Sequence, residues 1–87
     1  MTTPPFDDCP PGGDEVTSYD EQHFATYLRL LDAAAEAADW REVVRIVFGL
    51  DPALQPDRAR LVYDTHLSRA QWMTEKGFRD LLRASRN

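Results

Sequence analysis

Four side chains invite a chemical reading: one cysteine, Cys9, two histidines, His23 and His66, and Ser68 close to the second histidine. A Ser–His nucleophile needs both groups within hydrogen-bond reach. Ser68 and His66 stand two positions apart in what reads as a helix, so they point to different faces. His66 falls on the apolar line of that helix, where a histidine is read as a satisfied core or boundary residue rather than a base. Cys9 alone cannot close an internal disulfide, and with His23 and His66 it offers too few ligands for a metal site. Neither a nucleophile with its base, nor paired carboxylates of a cleft, nor a metal-ligand spacing is present as a signature. The expectation is a protein that is not an enzyme and needs no cofactor or metal.

The remaining chemistry is recognition. Arg58, Arg60 and Tyr63 fall in the first turns of the third predicted helix, where arginines can make bidentate contacts to guanine. Asp57 and Asp64 flank them and would repel phosphate. The same residues also read as a solvated, ion-paired face, because Asp57, Arg60 and Asp64 lie at helical neighbour spacings. A second set, Leu50, Leu54, Leu61, Leu67 and Trp72, is apolar yet falls off the predicted core stripes. Together these eight residues are the candidate partner-binding surface, with the arginines and Tyr63 as its polar rim. Scattered exposed leucines are also normal, and Trp72 can equally cap the core.

Charge separates two functional classes. The formal net charge is -5, against a protein whose main work is to hold nucleic acid. Residues 1–21 contain Asp7, Asp8, Asp14, Glu15, Asp20 and Glu21 and no Lys or Arg. Residues 58–87 instead have a basic surplus, so a basic C-terminal region follows an acidic leading segment. No apolar run approaches the roughly 18 residues of a membrane span. The opening MTTPPFDDCPPGG lacks the features of a signal peptide, so the expected compartment is the cytoplasm.

These residues must be positioned by helices. With 87 residues, 43% hydrophobic and 29% charged, one small domain is expected. Pro4, Pro5, Pro10, Pro11, Gly12 and Gly13 make residues 1–18 read as a disordered acidic tail, with Phe6 solvated. A first helix is predicted from Ser18–Asp20 to about Ala37, opened by a Ser18/Glu21 capping box. Its core stripe is read as Phe24, Tyr27, Leu28, Leu31, Ala34, Ala35 and Ala38. The alanines at 33–35 would admit a close neighbour.

A second helix is predicted from an Asp39/Glu42 capping box to Gly49, burying Trp40, Val43, Val44, Val47 and Phe48. A strand reading of VVRIVF is opposed by the cap and the glycine. The Asp51-Pro52 connection leads to a third, long helix from Pro56 to about Lys76, with Ala59, Val62, Tyr63, His66, Ala70 and Met73 inward and Gly77 as terminator. Phe78, Leu81 and Leu82 follow at i, i+3 and i+4 as a short closing helix. The fold class is therefore all-α: a compact three-helix, helix-turn-helix-like domain over 19–84, a short fourth helix at its end, and a short tail at 85–87.

WREVVRIVFGL, then DRARLVYDTHLSRAQWMTEKGFRDLL, resembles a proteobacterial family of small helix-turn-helix domains of the transcription-regulator kind. The resemblance spans about His23 to Leu82, and HLSRAQWMTEKGFRDLL is its most specific part. The family includes the DNA-binding-like domain of a type VI secretion regulator and domains carried on rhizobial integrative and conjugative elements. Among its relatives, a stand-alone short acidic protein resembles a quorum-sensing antiactivator. The resemblance implies a protein that binds and inhibits a LuxR-type activator (TraR-like) and an excision activator (FseA-like), repressing element excision and horizontal gene transfer. Net acidity, with Asp57 and Asp64 on the third helix, departs from a competent DNA-binding member.

The expected molecule is thus a monomeric antiactivator with no direct DNA binding. The alternative is a DNA-binding helix-turn-helix transcriptional regulator acting as a dimer through its basic C-terminal region. A third reading is a structural partner domain without regulatory action. The acidic tail would either mimic DNA towards an activator's basic face or steer encounter and preserve solubility.

Overall fold

The computed structural model describes residues 5–77 and is all-helical over that span. Four helices, α1 (Ser18–Gln22), α2 (Phe24–Ala35), α3 (Trp40–Phe48) and α4 (Pro56–Trp72), are followed by a π-helical turn, Met73–Gly77. The closing helix expected at Phe78, Leu81 and Leu82, and the tail at 85–87, lie outside the described residues. Within the described residues no helix is long and apolar enough to cross a membrane.

The single helix expected from residue 18 to 37 is broken at His23, so the described residues hold four helices where three were predicted ahead of the closing one. The His23 ring is fully buried, with Nδ1 2.8 Å from the Tyr19 carbonyl one turn back. The cap of α1 is Thr17 rather than Ser18: the Thr17 hydroxyl accepts from the Asp20 N–H, and the Asp20 carboxylate accepts from the Thr17 N–H. At its other end α2 stops at Ala35 in a reciprocal pair of bonds, Ala38 N–H to Ala33 O and Ala37 N–H to Ala34 O. This is a Schellman closure, with Ala37 in the left-handed region at φ 56°.

The inward line of the first two helices is Asp20, His23, Tyr27 and Leu30, with Ala33 packed at its end. The stripe read from hydrophobicity is thus displaced: Leu28 is 52% exposed, Ala34, Ala35 and Ala38 are exposed, and Phe24 and Leu31 are half-buried. The physical reason is that two polar residues, Asp20 and His23, occupy core positions because each is fully hydrogen-bonded there.

Helix α3 keeps its predicted apolar face, although Trp40 is half-buried and the cap is the Asp39–Arg41 bond rather than an Asp39/Glu42 box. The Asp39 carboxylate accepts from the Arg41 N–H, Val43, Val44, Val47 and Phe48 are buried, and Gly49 at φ 69° ends the helix. Helix α4 buries Ala59, Val62, Tyr63, His66 and Ala70 as expected, and also Arg69. Its last turn widens into the π-turn that carries buried Met73. Burial of residues such as Leu30, Val44 and Val62 contributes about 1.5–3 kcal/mol each and holds together helices too short to stand alone.

The leading segment has no regular structure from Pro5 to Val16, as its proline and glycine content requires, yet it straps across the domain. Phe6, expected in solvent, packs edge-on against Phe48 with ring centroids 4.9 Å apart. It also lies edge-on to His66 at 6.4 Å. A composition argument weighs the ordering entropy of the whole segment, whereas docking here needs only one aromatic anchor and a few backbone bonds.

Candidate functional site

Helix α4 supplies most of the candidate surface, and its phase divides the eight predicted residues. Leu50 is buried in the main core. It follows left-handed Gly49, and its N–H donates to Val44 O at 3.3 Å, which folds the side chain back over α3. Tyr63 is also buried, with its ring 6.2 Å from Trp40. Neither residue presents a surface, and both are removed from the candidate set. Leu67 is half-buried against the main core, and Trp72 is half-buried against the second cluster of Tyr27, Ala70 and Met73.

The other four are exposed and adjoin the start of α4. Leu54 is 79% exposed in the turn, and Leu61 is 44% exposed on the second helical turn. Arg58 donates to the Asp8 carboxylate at 2.8 Å and to the Gln55 side chain at 3.2 Å. Arg60 donates to Asp64 at 2.9 Å and lies 4.9 Å from the Trp40 ring centroid. The arginines therefore form an ion-paired face. Each exposed pair is worth about 0–1 kcal/mol, so the pairing orients the side chains more than it stabilises the fold.

Past Arg58 the strap runs alongside this face. The Thr65 hydroxyl has its nearest acceptor in Leu61 O one turn back at 2.7 Å, with Asp8 O at 3.2 Å, and residues from Cys9 to Asp14 border an open cavity together with Thr65, Ser68, Arg69 and Trp72. Arg69 anchors the strap from beneath, donating to Gly13 O at 2.6 Å and Glu15 O at 2.8 Å. The same guanidinium donates to both oxygens of Asp20 and stacks 3.8 Å from the Trp72 ring centroid. Burial alone would raise the Asp20 carboxyl. The Arg69 donors, the Thr17 N–H and the Tyr27 hydroxyl outweigh it and bring the group down to about 2. Tyr27, which donates to that carboxylate at 2.8 Å, is pushed up by burial and then by the Asp20 bond.

His66 lies under the strap as a connector, not a base with a nucleophile. Its Nδ1–H donates to Val62 O at 2.8 Å, and Nε2 accepts the Tyr19 hydroxyl at 2.6 Å. Burial lowers its pKa against the raising effect of the Val62 bond. The Tyr19 ring stacks on His23 at 4.0 Å, and the His23 Nε2 faces Pro5 O at 2.9 Å. Ser68 is exposed on another face, as its spacing from His66 requires.

Sequence reasoning missed the Asp20–Arg69 pair, the strap's seat, and Ile46, which is 77% exposed on α3. A signal existed for Arg69, which stands directly before Ala70 of the inward line. No group of three or more His, Cys, Asp or Glu placed to hold a metal occurs among the described residues. The chain matches no protein-family model and no curated protein.

Proposed function

We propose that the chain is a protein-binding antiactivator that inhibits transcriptional activators rather than reading DNA itself. The observation that carries this reading is the engagement of Arg58 and Arg60 within the chain, by Asp8 and by Asp64, beside the exposed leucines 54 and 61. An arginine held by a carboxylate must give up that contact to reach a base edge, and the carboxylate left behind repels phosphate. Exposed leucines and ion-paired arginines in and after the turn that opens one helix are instead the composition of a protein-contact surface.

The acidic balance of the chain and the resemblance to small helix-turn-helix regulators support the same reading. On that resemblance the chain is an antiactivator of the QseM kind, acting in the cytoplasm as a monomer. Its targets are a LuxR-type quorum-sensing activator (TraR-like) and an excision activator (FseA-like). It occludes them through Leu54, Arg58, Arg60 and Leu61, and the consequence is repression of conjugative element excision and transfer.

The test is capture of the two activators by the purified chain at low and at roughly 500 mM salt, where the Debye length falls below about 5 Å. Retention at high salt is expected of an apolar patch. Absence of capture, together with salt-dependent duplex binding that Arg58→Ala and Arg60→Ala abolish, would replace this reading with the DNA-binding one.

A further inference from the structure

The two histidines under the strap are bonded in different ways. His66 meets one acceptor and one donor: its Nδ1–H donates to Val62 O at 2.8 Å, and its Nε2 accepts the Tyr19 hydroxyl at 2.6 Å. A neutral ring satisfies both contacts. His23 meets two acceptors. Its Nδ1 lies 2.8 Å from Tyr19 O and its Nε2 lies 2.9 Å from Pro5 O, and the residue is fully buried. A carbonyl oxygen only accepts, and a neutral imidazole carries a single N–H. In either neutral tautomer one ring nitrogen would turn a bare lone pair towards a carbonyl, so only the imidazolium donates to both.

We propose that His23 is a proton-held latch: as an imidazolium it ties the strap's Pro5 to α1, and on losing its proton it releases the leading end of the strap. The contact given up is the distant one. Tyr19 O stands four positions back on α1 and stays within reach of Nδ1, whereas Pro5 O is 18 positions away on a segment without regular structure.

The charged and titratable groups around His23 agree with this assignment. The Tyr19 ring stacks on it with centroids 4.0 Å apart, and an aromatic face is an attractive neighbour for a cation. Asp20 of α1 is committed to Arg69 of α4 and to the Tyr27 hydroxyl of α2, so the charges of that group cancel among themselves. His66 of α4 interacts electrostatically with His23 and with Asp7 and Asp8 of the strap, and a second positive charge there is opposed by the first.

Two titrations therefore act on the strap with opposite sign. Docking strengthens as pH falls through the His23 titration, because the docked strap supplies the second acceptor. It weakens again once His66 takes up a proton, because Nε2 then no longer accepts from Tyr19, whose hydroxyl also receives the Asp7 N–H at 3.0 Å. The strap is seated most firmly between the two. Release on the alkaline side lifts Phe6 from Phe48 and opens an apolar seat on the domain, whatever partner the chain binds.

Residue-resolved NMR of the full chain tests the latch, titrated from about pH 5 to about pH 9 around the ordinary imidazole value of about 6.5. The ring nitrogen shifts of His23 report its charge, and cross-relaxation between the Phe6 and Phe48 rings reports docking. The expected result is a His23 ring with hydrogens on both nitrogens while the two phenyl rings are in contact. That contact should then weaken severalfold with the same midpoint as His23 deprotonation. A neutral His23 with the ring contact intact, a contact indifferent to alkaline pH, or loss of contact at a midpoint other than that of His23 would overturn the proposal. Linkage supplies a second readout, since a strap that needs the proton must also hold it. Phe6→Ala, with helical circular dichroism retained, should lower the proton affinity of His23 by about threefold or more. An unchanged His23 midpoint in that variant would also overturn it.

Discussion

Arg69 and Asp20, 49 positions apart, form a buried two-point ion pair, with Nη2 2.7 Å from Oδ2 and Nε 2.9 Å from Oδ1. The pair joins α4 to α1, and through Gly13 O and Glu15 O it also holds the strap. One guanidinium thus connects three parts of a chain whose apolar core is divided into two clusters.

Removing one partner leaves the other charged and buried, so Arg69→Met should cost about 3–5 kcal/mol in urea unfolding. The same pair sets an acid limb. The Asp20 pKa is depressed from 3.8 to about 2, so its stabilisation is fully present above 3.8 and is lost as pH falls towards 2. The loss is about 2 kcal/mol at 1.36 kcal/mol per pH unit, and Asp20→Asn should flatten that limb.

His66 gives a second, milder pH dependence. Its pKa is lowered from 6.5 by burial, with nearby His23 lowering it further and Asp7 and Asp8 opposing. The folded state therefore binds its proton less readily than the unfolded chain does. Stability from this group is complete above about 6.5 and declines as pH falls below that value. A ring titration by NMR should place His66 below 6.5; a value above it would contradict the buried, Tyr19-bonded ring.

The two left-handed helix ends should respond in opposite directions. Ala37 bears a side chain at φ 56°, so Ala37→Gly should stabilise the protein by up to about 1 kcal/mol. At Gly49, φ 69°, no atom would meet an added Cβ, but the backbone strain remains. Gly49→Ala should cost about 1 kcal/mol, and thermal melts of the two variants should move apart.

The strap divides into an anchor and a fringe. Phe6→Ala should destabilise by about 2 kcal/mol through lost burial against Phe48. Asp8→Asn removes an exposed pair with Arg58 and should change stability by less than about 1 kcal/mol. Any role of the acidic side chains in partner binding is therefore read from Asp7→Asn/Asp8→Asn. Deletion of residues 1–18 removes Phe6 and the Thr17 cap with the charges.

Much of this was legible in the sequence where burial and apolarity coincide. Val43, Val44, Val47 and Phe48 with Gly49, and the line from Ala59 to Met73, are placed as their spacing indicates. The face of α2 was misread because Asp20 and His23 stand on the inward line, and polar residues there become intelligible only with their partners. Those partners are Arg69 for Asp20 and Tyr19 with Pro5 for His23, and no periodicity within one helix reveals a contact 49 positions away. In the candidate surface the Arg60–Asp64 pair was legible as an i, i+4 spacing, whereas Arg58–Asp8 was not. Leu50 was misplaced because the reversal after Gly49 returns it to the core.

The most direct test of the proposed function is calorimetric titration of a LuxR-type activator with the wild-type chain and with Leu54→Asp/Leu61→Asp. Both leucines are exposed, so the variant should keep its fold and melting temperature. The account predicts binding by the wild type and a loss of affinity of at least tenfold in the variant. Equal affinity in the two chains, with both folded, would contradict it.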